Sequence, residues 1–330
     1  MDRALEQERI VVTGSAGFIG SHLAQALVAR GADVLGLDNL DPFYDPAIKR
    51  ANQDATRRAA DNAPGSYTFT EADLSEPDAF AIAAERFRPT GVIHLAAKAG
   101  VRPSIEDPAG YARANVVATS EVLTAAHALG CARVVLASSS SVYGNASTVP
   151  FSENDTAIEP ISPYAATKRA CELLAHTHHH LTGQPVSCLR FFTVFGPRQR
   201  PDLAIAKFMR LIDAGEPITM FGDGSTSRDY TYIDDIIRGV LAAYERTPDF
   251  GCRVWNLGSD RPVRLDELID AIARVAGKQP VIRHEGMQPG DVDRTWADVS
   301  RARDELGYAA TTPLDEGLAA QWAARPMPTA

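Results

Sequence analysis

Tyr164 and Lys168 stand four residues apart in Tyr164-Ala165-Ala166-Thr167-Lys168, so on a helix both side chains share one face. An ammonium beside a phenol favours the phenolate. Upstream runs Ser138-Ser139-Ser140-Ser141-Val142-Tyr143-Gly144, directly after an apolar, strand-like stretch. A serine hydroxyl, a phenol and an ammonium brought together can move a proton on and off an alcohol or sugar oxygen. Taken singly these motifs are ordinary: the Tyr–Lys spacing occurs on many helix surfaces, and serines at a strand end can make a polar turn. A third segment gives them context. Thr13-Gly14-Ser15-Ala16-Gly17-Phe18-Ile19-Gly20 sits where a predicted strand hands over to a predicted helix. Glycines there permit a tight turn and let a pyrophosphate approach the backbone, and the helix N-terminus offers it unpaired N–H groups. The spacing is G-x-x-G-x-x-G, not the commoner G-x-G-x-x-G. Asp38 follows about 20 residues on, at the end of the second predicted strand. A carboxylate there accepts hydrogen bonds from ribose hydroxyls and repels a 2′-phosphate, so NAD is favoured over NADP. The bland alternatives are a structural turn and a solvated strand-end acid.

The elements that must position these groups alternate. Strands are predicted at Arg9–Thr13, Asp33–Leu37, Ser66–Thr70, Gly91–Leu95 and Arg133–Ser138, and helices between them at 18–30, 79–87 and 111–129. Gly31 reads as a helix C-cap, and Ser162 with Pro163 as the start of the helix carrying Tyr164. This order predicts an α/β fold, a doubly wound parallel sheet covered by helices on both faces. The polar, Ala-rich stretch 50–62 is expected to be a solvated helix. After about residue 190, Gly, Pro and Asp become frequent, and helices are predicted at 205–214, 233–245, 265–276 and 314–324. Residues 1–190 are therefore expected to bind NAD, and 191–330 to form a smaller, loop-rich unit interdigitated with the first.

The chain has 330 residues, 45% hydrophobic and 23% charged, which suits a globular protein with a sizeable core. The net charge of −9 argues against non-specific nucleic-acid binding. Apolar runs are too short to span a membrane, and no signal-peptide pattern is visible, so a cytoplasmic location is the expectation. Cys131, Cys171, Cys188 and Cys252 never form C-x-x-C, and the triplet His178-His179-His180 projects in diverging directions, so no metal is expected.

With the glycine turn, Asp38, Ser139, Tyr164 and Lys168 in place, the chain resembles the extended short-chain dehydrogenase/reductase family, and within it the nucleotide-sugar epimerases and dehydratases. Asp73-Leu74, His94-Leu95-Ala96-Ala97, Asn115, Tyr143-Gly144 and Arg228-Asp229-Tyr230 fit that family in order and spacing. The resemblance implies a cofactor groove bordered by Gly14, Ala16, Gly17, Phe18, Ile19, Gly20, Asp38, Asn39, Asp73, Leu74, Leu95, Ala96, Ala97 and Lys98, with Tyr164 and Lys168 at its catalytic end. Asn115 is expected to be a structural or cofactor-side polar residue.

Resemblance also separates reactions. Nucleotide-sugar dehydratases carry an Asp-Glu pair after the catalytic hydroxyl, and UDP-glucuronate decarboxylases a nearby Glu; here those positions are Ser140 and Ser141. Without that pair the simple outcome is oxidation and reduction at C4, a 4-epimerisation. Phe43-Tyr44-Asp45-Pro46, the segment from Ala99 to Arg102, the segment from Gly196 to Asp202 and the segment from Met287 to Val292 resemble UDP-glucuronate 4-epimerases. Ser140, Ser141 and Thr193 can donate to a substrate carboxylate without adding a competing base. Their alternative role is to satisfy strand-end backbone groups. Arg102 and Arg200 are expected on the substrate side, Arg228 resembles the family's pyrophosphate arginine, and Asp291 its ribose-binding acid. Arg198 and Lys207 are further basic candidates. Galactose-type enzymes have an arginine where this chain has Gln288, a departure from that subgroup. Alternatives are a 4-epimerase for UDP-glucose or a UDP-N-acetylhexosamine, or a non-catalytic NAD-sensing protein. Relatives usually dimerise, and the corresponding helices here lie near 111–129 and 164–181.

Overall fold

All five strands predicted in the first half form, and two more extend their sheet. The computed structural model describes residues 5–146, 148–286 and 293–325. Its first part runs β1 (Arg9–Thr13), α1 (Phe18–Ala29), β2 (Asp33–Asp38), α2 (Pro46–Ala60), β3 (Ser66–Glu71), α3 (Ala79–Ala84) and β4 (Gly91–His94). Next come α4 (Val101–Glu106), α5 (Pro108–Tyr111), α6 (Ala118–Ala128), β5 (Arg133–Ser139), α7 (Pro163–Thr182) and β6 (Val186–Phe191). Then follow β7 (Thr193–Phe195), α8 (Ala204–Ala214), β8 (Ile218–Phe221), β9 (Ser227–Tyr232), α9 (Ile233–Phe250) and β10 (Cys252–Leu257). The last elements are β11 (Pro262–Arg264), α10 (Leu265–Ala276), β12 (Ile282–Glu285), α11 (Ser300–Leu306) and α12 (Leu314–Ala323).

The central sheet has the order β10-β6-β5-β4-β1-β2-β3, with every neighbouring pair parallel. Side chains alternate across it, as a two-residue period requires. Ile10 and Val12 of β1 join one core with Leu23, Leu27, Ile236, Val240 and Trp255, while Val11 joins the other with Leu35, Phe80, Val122 and Val134. The chain reverses its strand order between β1 and β4, and α/β folds open a ligand crevice at the carboxyl ends of such strands. A third core, around Ile205, Phe208, Leu268, Ile272 and Leu318, supports β7, β8, β9 and β11, and the exposed β12 pairs with β8.

One helix departs from the sequence-based expectation. The stretch expected to be a solvated helix is α2, and it buries Lys49, Asn52, Gln53 and Thr56. That face is polar yet satisfied: Asn52 Nδ2 donates to Ala16 O at 2.9 Å and Gln53 Nε2 to Ser15 Oγ at 3.3 Å, so it braces the glycine turn. Beyond residue 190, where a unit interdigitated with the first was expected, β10, a strand not expected there, completes the central sheet beside β6, and α9 packs on the β1 side of the core.

The predicted helix at 111–129 contains a π turn, Ala112–Val117, between α5 and α6. Single π turns often mark functional sites. Ser162 caps α7 by accepting from Ala165 N at 3.1 Å, with Pro163 in the first turn. Among the described residues no helix is long and apolar enough to cross a membrane, and no His, Cys, Asp or Glu cluster could hold a metal. His178 and His179 instead engage Gln184, while Cys131, Cys171 and Cys188 are buried free thiols and Cys252 is half-buried.

Candidate active site

A cavity of about 560 Å³ opens at the carboxyl ends of β1, β4, β5 and β6. Its floor is the glycine turn. Gly14 has φ +69°, and a Cβ there would lie 2.8 Å from Ala96 N; a Cβ on Gly20 would lie 2.1 Å from Gly14 O. The turn is therefore pressed onto β4's extension and onto α1, where only glycine fits. Gly17 precedes α1 and no side chain caps that end, so the helix's first N–H groups remain for a ligand. This cradle has the shape and donors a dinucleotide pyrophosphate needs.

Asp38 closes one end. Its Oδ2 accepts from Ala16 N at 3.1 Å and its Oδ1 from Leu40 N at 2.8 Å, which fixes the carboxylate and leaves further lone pairs. Burial pushes its proton affinity up, and the Lys49 ammonium at 3.9 Å opposes that shift. Asn39 donates to Asp73 Oδ2 at 3.1 Å, so these two predicted groove residues meet on the same side. On the opposite wall, Asn115 in the π turn grips the Lys98 backbone from both sides, accepting from its N at 2.8 Å and donating to its O at 3.0 Å. The same Asn115 donates to Thr167 Oγ1 on α7. It is a brace between groove and helix. The Lys98 side chain itself turns to Asp107, 3.1 Å away.

At the other end α7 clasps β5. Lys168 Nζ donates to Ala137 O at 2.8 Å, and Ser138 Oγ donates to Glu172 Oε1 at 2.5 Å. Tyr164, Lys168 and Glu172 are successive residues on one helix face. Ser139 ends β5, accepts from Ser141 N at 3.2 Å and shares a hydroxyl contact of 3.1 Å with Ser141 Oγ. Ser139, Ser140, Ser141, Tyr164, Lys168 and Thr193 all line the cavity. Such a set can exchange a proton with an alcohol oxygen.

Of the remaining predicted residues, Gly14, Gly17, Phe18, Ile19, Gly20, Asp38, Asn39, Asp73, Leu74, Leu95, Ala96, Ala97, Lys98 and Arg200 line the same cavity. Ala16 contributes its backbone through Asp38 instead. Arg200 packs over the Phe43 ring and pairs with Asp202 at 2.6 Å, at the cavity edge. Arg102 and Arg228 do not line it: Arg102 lies over the Phe221 ring, and Arg228 donates to Ser227 O at 2.9 Å. Asp291 and Gln288 fall outside the described residues. Arg198, a basic candidate for the nucleotide, is turned the other way; it bonds Ser21, His22 and Gln25 and so anchors α1. Lys49, Tyr44 and Ser138 also belong to the cavity wall; Tyr44 and Ser138 lie in segments the sequence analysis singled out, whereas nothing in the sequence marks Lys49.

A doubly wound sheet with a glycine cradle at its switch point and a Tyr–Lys helix across the cavity defines a dinucleotide-dependent α/β enzyme. The chain belongs to the NAD dependent epimerase/dehydratase family, whose family model matches residues 10–258. It is 38% identical to a UDP-glucuronate 4-epimerase of Thermodesulfobacterium geofontis, over 93% of each chain. It is 41% identical to a UDP-glucuronate 4-epimerase of Arabidopsis thaliana, over 94% of this chain and 73% of that one. Its structure superposes with a TM-score of 0.88 on the UDP-glucuronic acid 4-epimerase of Bacillus cereus in complex with UDP-glucuronic acid and NAD. Those two are 36% identical, over 96% of this chain and 98% of the other.

Proposed function

We propose that this chain is an NAD-dependent UDP-glucuronate 4-epimerase that interconverts UDP-glucuronate and UDP-galacturonate through a 4-keto intermediate. The observation that carries the reading is one cavity lined by both the Ser139–Tyr164–Lys168 set and the acid-free hydroxyl trio Ser140, Ser141 and Thr193. Residues 1–190 carry the cofactor and residues 191–330 mainly the sugar nucleotide, with α9 and β10 built into the first unit.

NAD, held by the glycine cradle, Asp38, Asn39, Asp73, Leu74 and the 95–98 wall, accepts a hydride from C4 and returns it. Tyr164 takes the proton of the C4 hydroxyl on its phenolate oxygen, with Ser139 sharing that oxygen. Lys168, one turn along the same face of α7, is held in a fixed position by Ala137 O. The flat 4-keto sugar then presents its other face, and Tyr164 gives the proton back to the reduced oxygen. Arg200, at the cavity edge, is placed to anchor the UDP end while the sugar turns; by resemblance alone Arg102, Arg228 and Asp291 are proposed to assist on the substrate side.

The oxidised sugar is a β-keto acid, which loses CO₂ when the bond to its carboxylate aligns with the ketone. Donors from Ser140, Ser141 and Thr193 hold the carboxylate out of that alignment. Thr193→Val is expected to raise the share of UDP-pentose roughly tenfold, the worth of one hydrogen bond to a charged group. Product ratios by NMR check it; an unchanged ratio removes Thr193 from this role. The substrate assignment is tested by incubating the protein separately with UDP-glucuronate and UDP-glucose, without added NAD. UDP-galacturonate is expected from the first. Conversion of UDP-glucose alone would instead support the UDP-glucose alternative.

The protein is further proposed to work as a cytoplasmic homodimer joined through α6 and α7. Leu173 and Leu181 of α7 and Val117, at the end of the π turn that leads into α6, expose apolar side chains at 54%, 76% and 44%. Sedimentation that finds only monomer would remove the dimer.

A further inference from the structure

Arg198 stands two residues before Arg200 but points the opposite way, onto α1. Its φ is +64°, a left-handed conformation that residues other than glycine seldom adopt. Such a backbone persists where its surroundings over-determine it. Here they do. Arg198 Nη1 donates to Ser21 Oγ at 3.1 Å, and Nη2 donates to His22 Nδ1 at 3.1 Å and Gln25 Oε1 at 3.0 Å. His22 Nε2 returns a bond to Pro197 O at 3.0 Å. A carbonyl only accepts, so Nε2 carries the proton and Nδ1 is free to accept from Arg198. Burial, and then the Arg198 charge, lower the His22 pKa to about 4, which keeps the ring in that neutral form. Next in the chain, the buried Gln199 donates to Val194 O at 2.9 Å and accepts from Ala206 N at 3.0 Å and Gln321 Nε2 at 2.8 Å. Residues 197–199 are thus tied to α1, α8 and α12.

Arg200 is held differently. Its ring partner Phe43 and its ion-pair partner Asp202 are both exposed, and its bond to Ala99 O is long at 3.5 Å. Its own contacts fix it weakly, so its place at the cavity edge depends on the backbone that delivers it. The helix that clamps this backbone is the one whose first turn forms the cavity floor: Gly17, Phe18, Ile19 and Gly20 line the cavity, and Ser21, His22 and Gln25 follow directly. We propose that Arg198 and His22 are positioning residues for the substrate: by clamping residues 197–198 to α1 they set where Arg200 stands, and so fix the UDP end of the sugar nucleotide relative to the glycine cradle. This rests on the reading of Arg200 as the UDP anchor. Such a clamp serves the reaction because transfer between two bound molecules tolerates only small errors in their relative placement.

The experiment titrates UDP into the purified protein by calorimetry, for wild type, Arg198→Met, Arg200→Met and the double variant, with a thermal melt of each. Methionine keeps the apolar stem of either arginine and makes the same backbone demand at position 198. If Arg198→Met does not fold, His22→Phe replaces it; that variant keeps the edge-on ring contact with Phe18 at 5.9 Å and loses both hydrogen bonds. Arg200→Met is expected to bind UDP about tenfold more weakly. Arg198→Met is expected to lose about fivefold although its side chain lies outside the cavity, and the double variant to be no weaker than Arg200→Met alone. A residue that merely stabilises the fold would lower the melting temperature and leave UDP affinity unchanged. UDP binding at wild-type strength in a folded Arg198 or His22 variant would therefore overturn the proposal. So would losses that add in the double variant, because Arg198 would then act independently of Arg200. Wild-type affinity in Arg200→Met would remove Arg200 from the UDP end and the proposal with it, a failure distinct from the other two.

Discussion

Tyr164→Phe is expected to lower kcat by about 10²–10⁴-fold, the range for losing a positioned general acid–base. The substitution removes one oxygen and little else. Among the described residues the Tyr164 hydroxyl makes no hydrogen bond, so phenylalanine leaves no protein partner orphaned. The ring keeps its edge-on contact with Tyr111 at 6.3 Å, and α7 keeps its Ser162 cap. Melting temperature, copurified cofactor and KM should therefore stay near wild-type values while turnover falls. NMR-monitored turnover with a parallel thermal melt separates the two. Near-native turnover in the variant would take the proton-transfer role away from Tyr164.

Glu172→Ala has the largest expected effect on stability. Glu172 lies under the site on the Tyr164–Lys168 face of α7 and accepts from Ser138 Oγ, from Arg190 Nε at 2.9 Å and Nη2 at 2.8 Å, and from Arg169 at 2.8 Å. Both side chains of the Glu172–Arg190 pair are at most 2% exposed. Arg190 Nη1 already lacks an acceptor, and the guanidinium stacks over the Tyr143 ring at 4.7 Å. Removing the carboxylate strands that cation in the core. Breaking such a pair costs about 3–5 kcal/mol. Urea unfolding measures it, and a loss below about 1 kcal/mol would mean that the pair is relaxed or hydrated. The effect has a pH signature. Burial pushes the Glu172 proton affinity up, but the Arg190 bonds and charge outweigh it and hold the carboxyl below its usual range. Its stabilisation is therefore complete above the ordinary glutamate range and lost as pH falls through that range toward the lower folded value. The gap between wild type and variant should narrow on acidification.

The parts of the fold that sequence makes legible are those where local pattern and tertiary role agree. Apolar runs such as Arg9–Thr13 and Gly91–His94 are buried on both faces, and a buried parallel strand has no other composition available. The glycine turn is legible because its spacing is a direct steric demand. Helix α2 is not: its buried face is Lys49, Asn52, Gln53 and Thr56, so hydrophobic periodicity is silent about it. For the same reason Lys49 looks like a solvated charge until the strands bring Asp38 beside it. The strand Cys252–Leu257 is obscured by Arg253 and Asn256, which find partners only in the tertiary structure: Arg253 pairs with Glu305, and Asn256 accepts from Tyr143 Oη. Arginines are the least legible site residues. Arg198 and Arg200 are two residues apart, yet one ties down α1 and the other edges the cavity. Sequence proximity to a motif does not say which way a long side chain turns.

Hydride is expected to leave C4 and return to the same carbon without leaving the protein. Incubating the purified chain with UDP-glucuronate deuterated at C4, in ordinary water and without added cofactor, tests it directly. The expected product is UDP-galacturonate that retains deuterium at C4, with no net change in absorbance from a reduced nicotinamide. Loss of the deuterium to solvent, or conversion that starts only when NAD is added in stoichiometric amounts, would contradict it.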